Sequence, residues 1–261
     1  MNEKALRIVA PLGIGLLLLA GWETLVLVRG IPSYILPAPS LVATTMIAEW
    51  SNLWPSLMIT LQITTIALIA AIVGGGGLAI LFSMWRLVEL SLFPYAVILQ
   101  VTPVVAIAPL LLIYIDNTLL VVVIVAWIVA FFPILSNTTL GLNSADHNLR
   151  SLFELYGATR WQALRHLRIP SAMPYFLGGL RIAGGLSLIG AVVAEYVAGT
   201  SGTGTGLAFR ILEAGYRLQI PKMFAALMLL AFTGIAIFLF FSAISHLALR
   251  SWHESAVKRE S

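Results

Sequence analysis

The chain contains no cysteine, and only 10% of its 261 residues are charged. The absence of cysteine excludes a disulfide scaffold, an iron–sulfur cluster and a thiolate metal site. A soluble domain carries about 25% charged residues. This chain is 60% hydrophobic with a mean hydropathy of +0.98, so it has too few polar side chains to cover its surface in water. Lipid must therefore cover much of that surface.

The sequence also lacks the motifs of several enzyme classes. It has no G-x-x-x-x-G-K-[ST] loop for phosphate, and Gly74–Gly77 stands in an apolar run without a lysine. No H-E-x-x-H pair occurs among His147, His166, His246 and His253. We therefore expect no catalytic residue, no metal site and no cofactor bound by this chain itself.

Apolar runs long enough to cross a bilayer recur along the chain, since a hydrocarbon core of about 30 Å requires about 20 helical residues. These runs are 8–28, 57–84, 90–115, 118–140, 176–197 and 223–249. They predict an all-α membrane protein with about six transmembrane helices, forming one domain over residues 1–261. The first run follows Lys4 and Arg7 but is long and lacks a small-residue cleavage site, so we expect it to be retained rather than removed as a signal peptide.

The cations predict the orientation, because cytoplasmic loops of membrane proteins are enriched in Lys and Arg. With both termini in the cytoplasm, most cations lie inside: Lys4, Arg7, Arg86, Arg150, Arg160, Arg165, Arg168, Arg250, Lys258 and Arg259. The outer segments 29–55 and 199–221 then hold Arg29, Arg210 and Arg217, and Lys222 also lies outside. This distribution indicates that the net charge of +4 reflects membrane topology and not a surface that binds nucleic acid.

The predicted cytoplasmic loop 141–174 is polar, basic and too long for a simple turn. Apolar residues at helical spacing precede Gly157 and resume after it, which predicts two short helices around a glycine turn. Their apolar face either packs on the chain's own helix ends or on lipid headgroups, or it binds a partner. The pattern alone leaves both possibilities open.

In this loop, the stretch GATRWQALRHLRIPSAMP resembles the cytoplasmic signature of binding-protein-dependent permeases of ATP-binding-cassette (ABC) importers. The residues at matching places are Gly157, Ala158, Leu167, Ile169 and Pro170. The opening of the signature differs, because residues 151–153 are Ser-Leu-Phe where the family has Glu-Ala-Ala. Glu154 is not the equivalent of that acidic residue, so the family role of the acid does not carry over.

Other segments are similar to the subgroup of these permeases that serves nitrate, taurine and alkanesulfonates. They are YILPAPSLV, APLLLIY, FFPILSNTTLGL and GLRIAGGLSLIGAVVAEYVAG, whereas YIDNT at Tyr114–Thr118 departs from the subgroup's turn. Similar permeases serve thiamine precursors and riboflavin. The resemblance implies a type I ABC importer permease in the bacterial inner membrane. It also implies a second permease copy, a cytoplasmic ATPase dimer that holds ATP and magnesium, and a periplasmic substrate-binding protein.

The resemblance makes the loop 141–174 the expected contact with the ATPase. The candidate coupling residues are Glu154, Tyr156, Gly157, Ala158, Arg160, Trp161 and Pro170. Gly157 is expected to adopt a backbone conformation that other residues avoid, and the two aromatic residues are candidate anchors. Arg160, with Arg165 and Arg168, either pairs with acidic ATPase residues or serves only topology.

The candidate pathway or gate residues are Glu195, Gln100 and Thr102. A carboxylate at membrane depth costs a few kcal/mol and usually faces a cavity or a partner. Glu195 is therefore either a gate element or one half of an ion pair with an outer cation such as Arg210. Threonine in a span more often bonds its own helix. Pro94, Pro103 and Pro109 predict kinks in the third span.

Two other classes are compatible with an apolar chain of this length. A secondary transporter driven by an ion gradient usually has more helices and paired charges at the midplane. A membrane enzyme needs a convergent acid–base or metal set, which this sequence does not offer. ATP-dependent uptake that survives an uncoupler distinguishes an importer from the first class, and solute processing without transport would indicate the second.

Overall fold

The computed structural model describes residues 3–199 and 204–250. Within them the helices are Glu3–Arg29 (α1), Pro39–Ala48 (α2), Trp50–Met84 (α3), Arg86–Val101 (α4), Val104–Tyr114 (α5), Thr118–Asn143 (α6), His147–Leu155 (α7), Arg160–Ala163 (α8), Ile169–Ala198 (α9), Leu207–Tyr216 (α10) and Ile220–Leu249 (α11). A π-helical turn, Leu164–Arg168, joins α8 to α9. Residues 200–203 of the predicted outer segment, His253, Lys258, Arg259 and the side chains of Lys4 and Arg7 lie outside the description.

The described helices confirm an all-helical membrane protein. Five of them are long and apolar enough to cross a membrane: Val9–Arg29, Trp50–Met84, Thr118–Asn143, Arg160–Ala198 and Ile220–Leu249. The pair α4 and α5 passes the same test together but is bent by 97° at its break, so there are six candidate spans if the pair is counted as one. The predicted number of about six spans is reached when α4 and α5 are counted together as one span.

The predicted third span, 90–115, is formed by two helices, and the kink expected at Pro103 is a complete break. The chain leaves the helical conformation at Thr102 and Pro103 and resumes it at Val104. Pro103 has no N–H to donate and disfavours helical backbone in the residue before it, which explains the position of the break. Pro94 and Pro109 stay inside α4 and α5.

Contacts divide the chain into two compact units. The first comprises 1–58 and 205–231. In it, the Glu23 carboxylate accepts hydrogen bonds from Ser40 N at 3.0 Å and from Ser40 Oγ at 2.6 Å, which ties α1 to the first turn of α2. Lys222 Nζ lies 2.7 Å from Glu49 Oε2 and joins the start of α11 to the start of α3.

The second unit comprises 59–204 and 232–261, and α6 and α9 form its centre. Three glycines bring these two helices together. A Cβ at Gly179 would lie 2.9 Å from the Pro133 carbonyl oxygen, and a Cβ at Gly141 or Gly190 would lie 2.8 Å from the Cα of Ala172 or Ala126. The two backbones are therefore in direct contact, with no layer of side chains between them at these points.

Candidate functional site

The helix α7 begins at a capped end. Asp146 is its N-cap, and its carboxylate accepts hydrogen bonds from Asn148 N at 2.8 Å and Leu149 N at 3.1 Å. Acidic side chains at this position satisfy the free N–H groups of the first turn and favour the positive end of the helix dipole. Asp146 therefore marks the place where α7 begins.

Gly157 ends α7 in the left-handed conformation, with φ of +66°. Its N–H donates to the Glu154 carbonyl at 3.0 Å, and Ala158 N donates to the Phe153 carbonyl at 2.9 Å. These bonds satisfy carbonyls that the helix end leaves open, and glycine is the residue that adopts this conformation without strain. The expected backbone conformation of Gly157 is confirmed.

A capping box begins α8 immediately after this turn. Thr159 N donates to Gln162 Oε1 at 2.7 Å, and Gln162 N donates to Thr159 Oγ1 at 3.3 Å. The reciprocal bonds satisfy two free donors at once. The predicted pair of short helices around Gly157 is present, except that α8 continues through the π-helical turn into α9.

Large apolar side chains project from this pair of helices. Leu155 and Tyr156 are each 84% exposed, and Trp161 is 60% exposed. We call α7, the Gly157 turn and α8 the coupling segment, residues 147–163. An open groove of about 470 Å³ on it is lined by Leu152, Phe153, Tyr156, Gly157, Ala158, Gln162 and His166.

The coupling segment is held firmly at its base. Leu164 and Leu167 of the π-helical turn are buried, and Leu164 packs in a cluster with Phe82, Leu135 and Leu142. Arg168 Nη1 donates to the carbonyl of Ser83 near the end of α3. From the sequence, Arg168 was expected either to pair with the ATPase or to serve only topology. The sequence did not predict its bond to Ser83; the only hint was that Arg168 lies four residues after the apolar Leu164.

The candidate coupling residues are placed as follows. Glu154, Tyr156, Gly157, Arg160 and Trp161 are exposed on the coupling segment, and Ala158 is half-buried beside them. Pro170 lies in the first turn of α9, directly after the π-helical turn Leu164–Arg168, and it donates no hydrogen bond back into that turn because it has no N–H. All but Pro170 therefore share one short stretch of surface.

Glu195 is 6% exposed within α9 and accepts a hydrogen bond of 2.8 Å from Thr60 Oγ1 of α3. Thr60 is fully buried, and its own carbonyl accepts from Thr64 Oγ1 at 2.7 Å. Arg210, the cation considered as a partner for Glu195, lies 3.0 Å from Glu213 and donates to Ser56 Oγ at 3.0 Å within the first unit. The missed partner, Thr60, was among several polar positions with no signal to single it out.

Gln100 and Thr102 lie at the break between α4 and α5. The Thr102 hydroxyl donates to the Ile98 carbonyl at 2.6 Å, so its proton is used within its own helix. Gln100 is exposed near the end of α4, within its apolar last part, residues 96–101. In the part of the chain that the structure describes, no three His, Asp or Glu side chains are grouped so as to hold a metal.

The chain matches the family described as the binding-protein-dependent transport system inner membrane component over residues 71–253. The riboflavin transport system permease protein RibX of Chloroflexus aurantiacus is 35% identical and covers 92% of this chain and 88% of its own. The formylaminopyrimidine transport permease protein ThiX of Halalkalibacterium halodurans is 34% identical, and the match covers 94% of this chain and 95% of ThiX. A putative aliphatic sulfonates transport permease, SsuC of Bacillus subtilis, is 25% identical, and the match covers 83% of this chain and 78% of SsuC.

A solved structure of an amino acid ABC transporter with histidines is similar in fold, with a TM-score of 0.60, 18% identity, and coverage of 77% of this chain and 94% of that one. The chain therefore belongs to the family of binding-protein-dependent inner-membrane transport components. It is a multi-pass permease of a bacterial ABC importer in the inner membrane. The family implies an ATPase and a substrate-binding protein as partners, and its relatives are permease subunits without an ATPase site of their own.

Proposed function

We propose that two copies of this chain form the solute pathway of the importer, and that the coupling segment binds the cytoplasmic ATPase. The observation that carries this proposal is the exposure of Leu155, Tyr156 and Trp161 on one short capped turn. Exposed apolar side chains grouped in this way favour a protein partner, and large aromatic residues are frequent anchors of interfaces.

The charge of the coupling segment supports an acidic partner surface. Arg160 and Arg165 are exposed on it and on the adjoining turn, and Glu154 is the nearby carboxylate. Charge complementarity at an interface guides the encounter and fixes its register. We expect the ATPase to present carboxylates to this stretch, with ATP and magnesium bound entirely by the ATPase and none by this chain.

Within the pathway, we assign Glu195 to a gate and Gln100 with Thr102 to the lining. The bond to Thr60 holds the Glu195 carboxylate at the contact between α3 and α9, two helices that must separate or slide if the pathway opens there. Gln100 is an exposed amide in the apolar last part of α4, which favours a position facing water or a second copy over one facing lipid.

The transported solute is proposed to be a heterocycle of the riboflavin or thiamine-precursor kind. Relatives named for riboflavin and formylaminopyrimidine transport are 35% and 34% identical over more than nine-tenths of this chain, whereas the relative named for sulfonates is 25% identical. A periplasmic binding protein would deliver the solute. Uptake of labelled riboflavin, formylaminopyrimidine and taurine, in cells with and without this chain, tests this assignment.

Purification of the tagged chain from its native membrane in mild detergent tests the assembly. We expect a stoichiometric ATPase to accompany it, with hydrolysis stimulated by the binding protein. The variant Tyr156→Ala should lose the ATPase, whereas Tyr114→Ala, equally exposed at 83%, should retain it. Retention of the ATPase by both variants would place docking elsewhere, and transport without ATP by the chain alone would favour a secondary transporter.

A further inference from the structure

A second groove, which we call the basic groove, lies beside the coupling segment at the end of α3. It has a volume of about 470 Å³, and its charged lining residues are Arg86, Arg160, Arg168 and Glu154. Trp85 and Leu87 complete the wall at the start of α4. Of its charged residues, Glu154 and Arg160 also belong to the coupling segment, whereas Arg86 and Arg168 lie outside it.

The charges around the basic groove leave an excess of cations. Arg86 pairs with Glu89 at 2.7 Å, and Glu154 is the carboxylate on the lining. Arg160 forms no salt bridge within residues 3–199 and 204–250. A small neighbouring cavity is lined by Arg150 together with Arg168 and Glu154. Three guanidinium groups thus line the basic groove with one carboxylate, and guanidinium is the side chain best suited to bind a phosphate through two parallel hydrogen bonds.

The position of the groove selects a lipid as the source of that phosphate. The groove lies where α3 ends and α4 begins, on the face that the cation distribution places in the cytoplasm. Trp85 is 46% exposed there, as expected of an aromatic residue at the level of the headgroups. From the rim, Leu87 and Leu90 continue along α4 at 79% and 58% exposed, an apolar surface on which acyl chains can lie.

We propose that the basic groove binds the phosphate of an anionic phospholipid, with the acyl chains along the exposed face of α4. Basic pockets between transmembrane helices on the cytoplasmic side are suited to such headgroups. The bound lipid would fill the space between the α3–α4 turn and the coupling segment. The proposal does not depend on an ATPase docking at Tyr156, because it concerns the permease chain and the membrane alone.

Native mass spectrometry of the full-length chain in detergent, titrated with phosphatidylglycerol, tests the proposal. Arg86→Gln and Arg160→Gln should each weaken phosphatidylglycerol binding by about fivefold, the contribution expected of one arginine near an anionic surface. Glu154→Gln should tighten it, because it removes the carboxylate of the lining. Arg165→Gln is the matched control: Arg165 is exposed on the adjoining turn but does not line the groove, so binding should be unchanged.

Each other outcome overturns the proposal. Equal weakening by Arg165→Gln would mean that diffuse surface charge attracts the lipid. Equal binding of phosphatidylcholine would exclude selection of an anionic headgroup. Displacement of the lipid by inorganic phosphate in excess, with no dependence on acyl chains, would identify a free phosphate as the occupant. Arg86 and Arg160 are exposed side chains, so their substitution tests binding without removing the Arg168 bond to Ser83.

Discussion

Thr60 and Glu195 lie 135 positions apart in sequence, and the hydroxyl of the first donates a buried hydrogen bond of 2.8 Å to the carboxylate of the second. The bond joins α3 to α9 inside the apolar second unit. A carboxylate at membrane depth is costly, and a neutral donor reduces that cost without adding a second charge. The pair is therefore a point where a side-chain hydrogen bond links two spans.

Replacing Thr60 with valine keeps the shape of the side chain and removes the donor. We expect the folded chain to lose about 1 kcal/mol of stability, the usual scale of a hydrogen bond between transmembrane helices. If Glu195 is the gate that we propose, the variant should also leak solute in the absence of ATP. Thermal unfolding in detergent and efflux from vesicles measure the two effects. Thr65→Val, an exposed position one turn further along α3, is the control; equal effects in both variants would contradict the assignment.

Replacing Gly157 with valine puts a β-branched residue at φ of +66°. A side chain in the left-handed conformation costs about 1–2 kcal/mol, so the coupling segment should rearrange while the spans remain inserted. ATP hydrolysis should then be uncoupled from uptake, or the ATPase should dissociate. Asparagine tolerates this conformation, so Gly157→Asn should keep most of the uptake; unchanged uptake in the valine variant would remove this turn from the mechanism.

The neighbouring glycines Gly178 and Gly179 differ sharply in the space around them. A Cβ at Gly179 would lie 2.8 Å from the Asn137 Cβ, whereas nothing lies within 4 Å of a Cβ at Gly178. Gly179→Ala should therefore force α6 and α9 apart and destabilise the chain by about 1–3 kcal/mol, as overpacking does. Gly178→Ala should leave the melting temperature in detergent unchanged. Similar melting temperatures for both would mean that the two helices are not in direct contact there.

The pair Glu49 and Lys222 gives the first unit a dependence on pH. The Lys222 ammonium, together with Asn52, holds the pKa of the Glu49 carboxyl below its ordinary value. A carboxyl with a lowered pKa in the folded chain stabilises it at pH above its unfolded pKa, and this contribution is lost as the pH falls through the folded pKa. The difference in melting temperature between the wild type and Glu49→Gln should therefore shrink as the pH falls below about 4.3, the ordinary value for glutamate.

A double-variant cycle completes that test. If the stabilisation comes from the ion pair, then Glu49→Gln and Lys222→Gln together should cost no more than the larger single change, and the coupling should disappear at acidic pH. Additive effects of the two substitutions at neutral pH would show that the pair contributes nothing as a pair.

Several elements could be predicted from the sequence because their causes are local. Long apolar runs predicted the spans, and the helical spacing around Gly157 predicted the two short helices. Each of these signals is contained within one helix length or one turn. The conformation of Gly157 followed from the same local pattern, because a residue that must reverse direction between two helices favours the left-handed region.

Other features depend on contacts between distant residues or on the amount of a local distortion. The sequence indicated a kink at Pro103 but not a bend of 97°, since the angle depends on what each half packs against. Thr60 was one of several polar residues in its span, and only the position of α9 makes it the partner of Glu195. The anchoring bond from Arg168 to Ser83 joins residues 85 positions apart, and no periodicity within either segment contains that information.

The glycine contacts between α6 and α9 bear on how a displacement of the coupling segment would be transmitted to Glu195, the proposed gate residue. Where two backbones touch, there is no layer of rotatable side chains to deform. The two helices are therefore expected to move together as a stiff unit. From Arg168 to Glu195 along α9 is about 40 Å. In an importer whose ATPase binds the coupling segment, a displacement applied at one membrane face would reach the other face nearly undiminished. The ATPase could then drive the pathway while lying entirely outside the membrane.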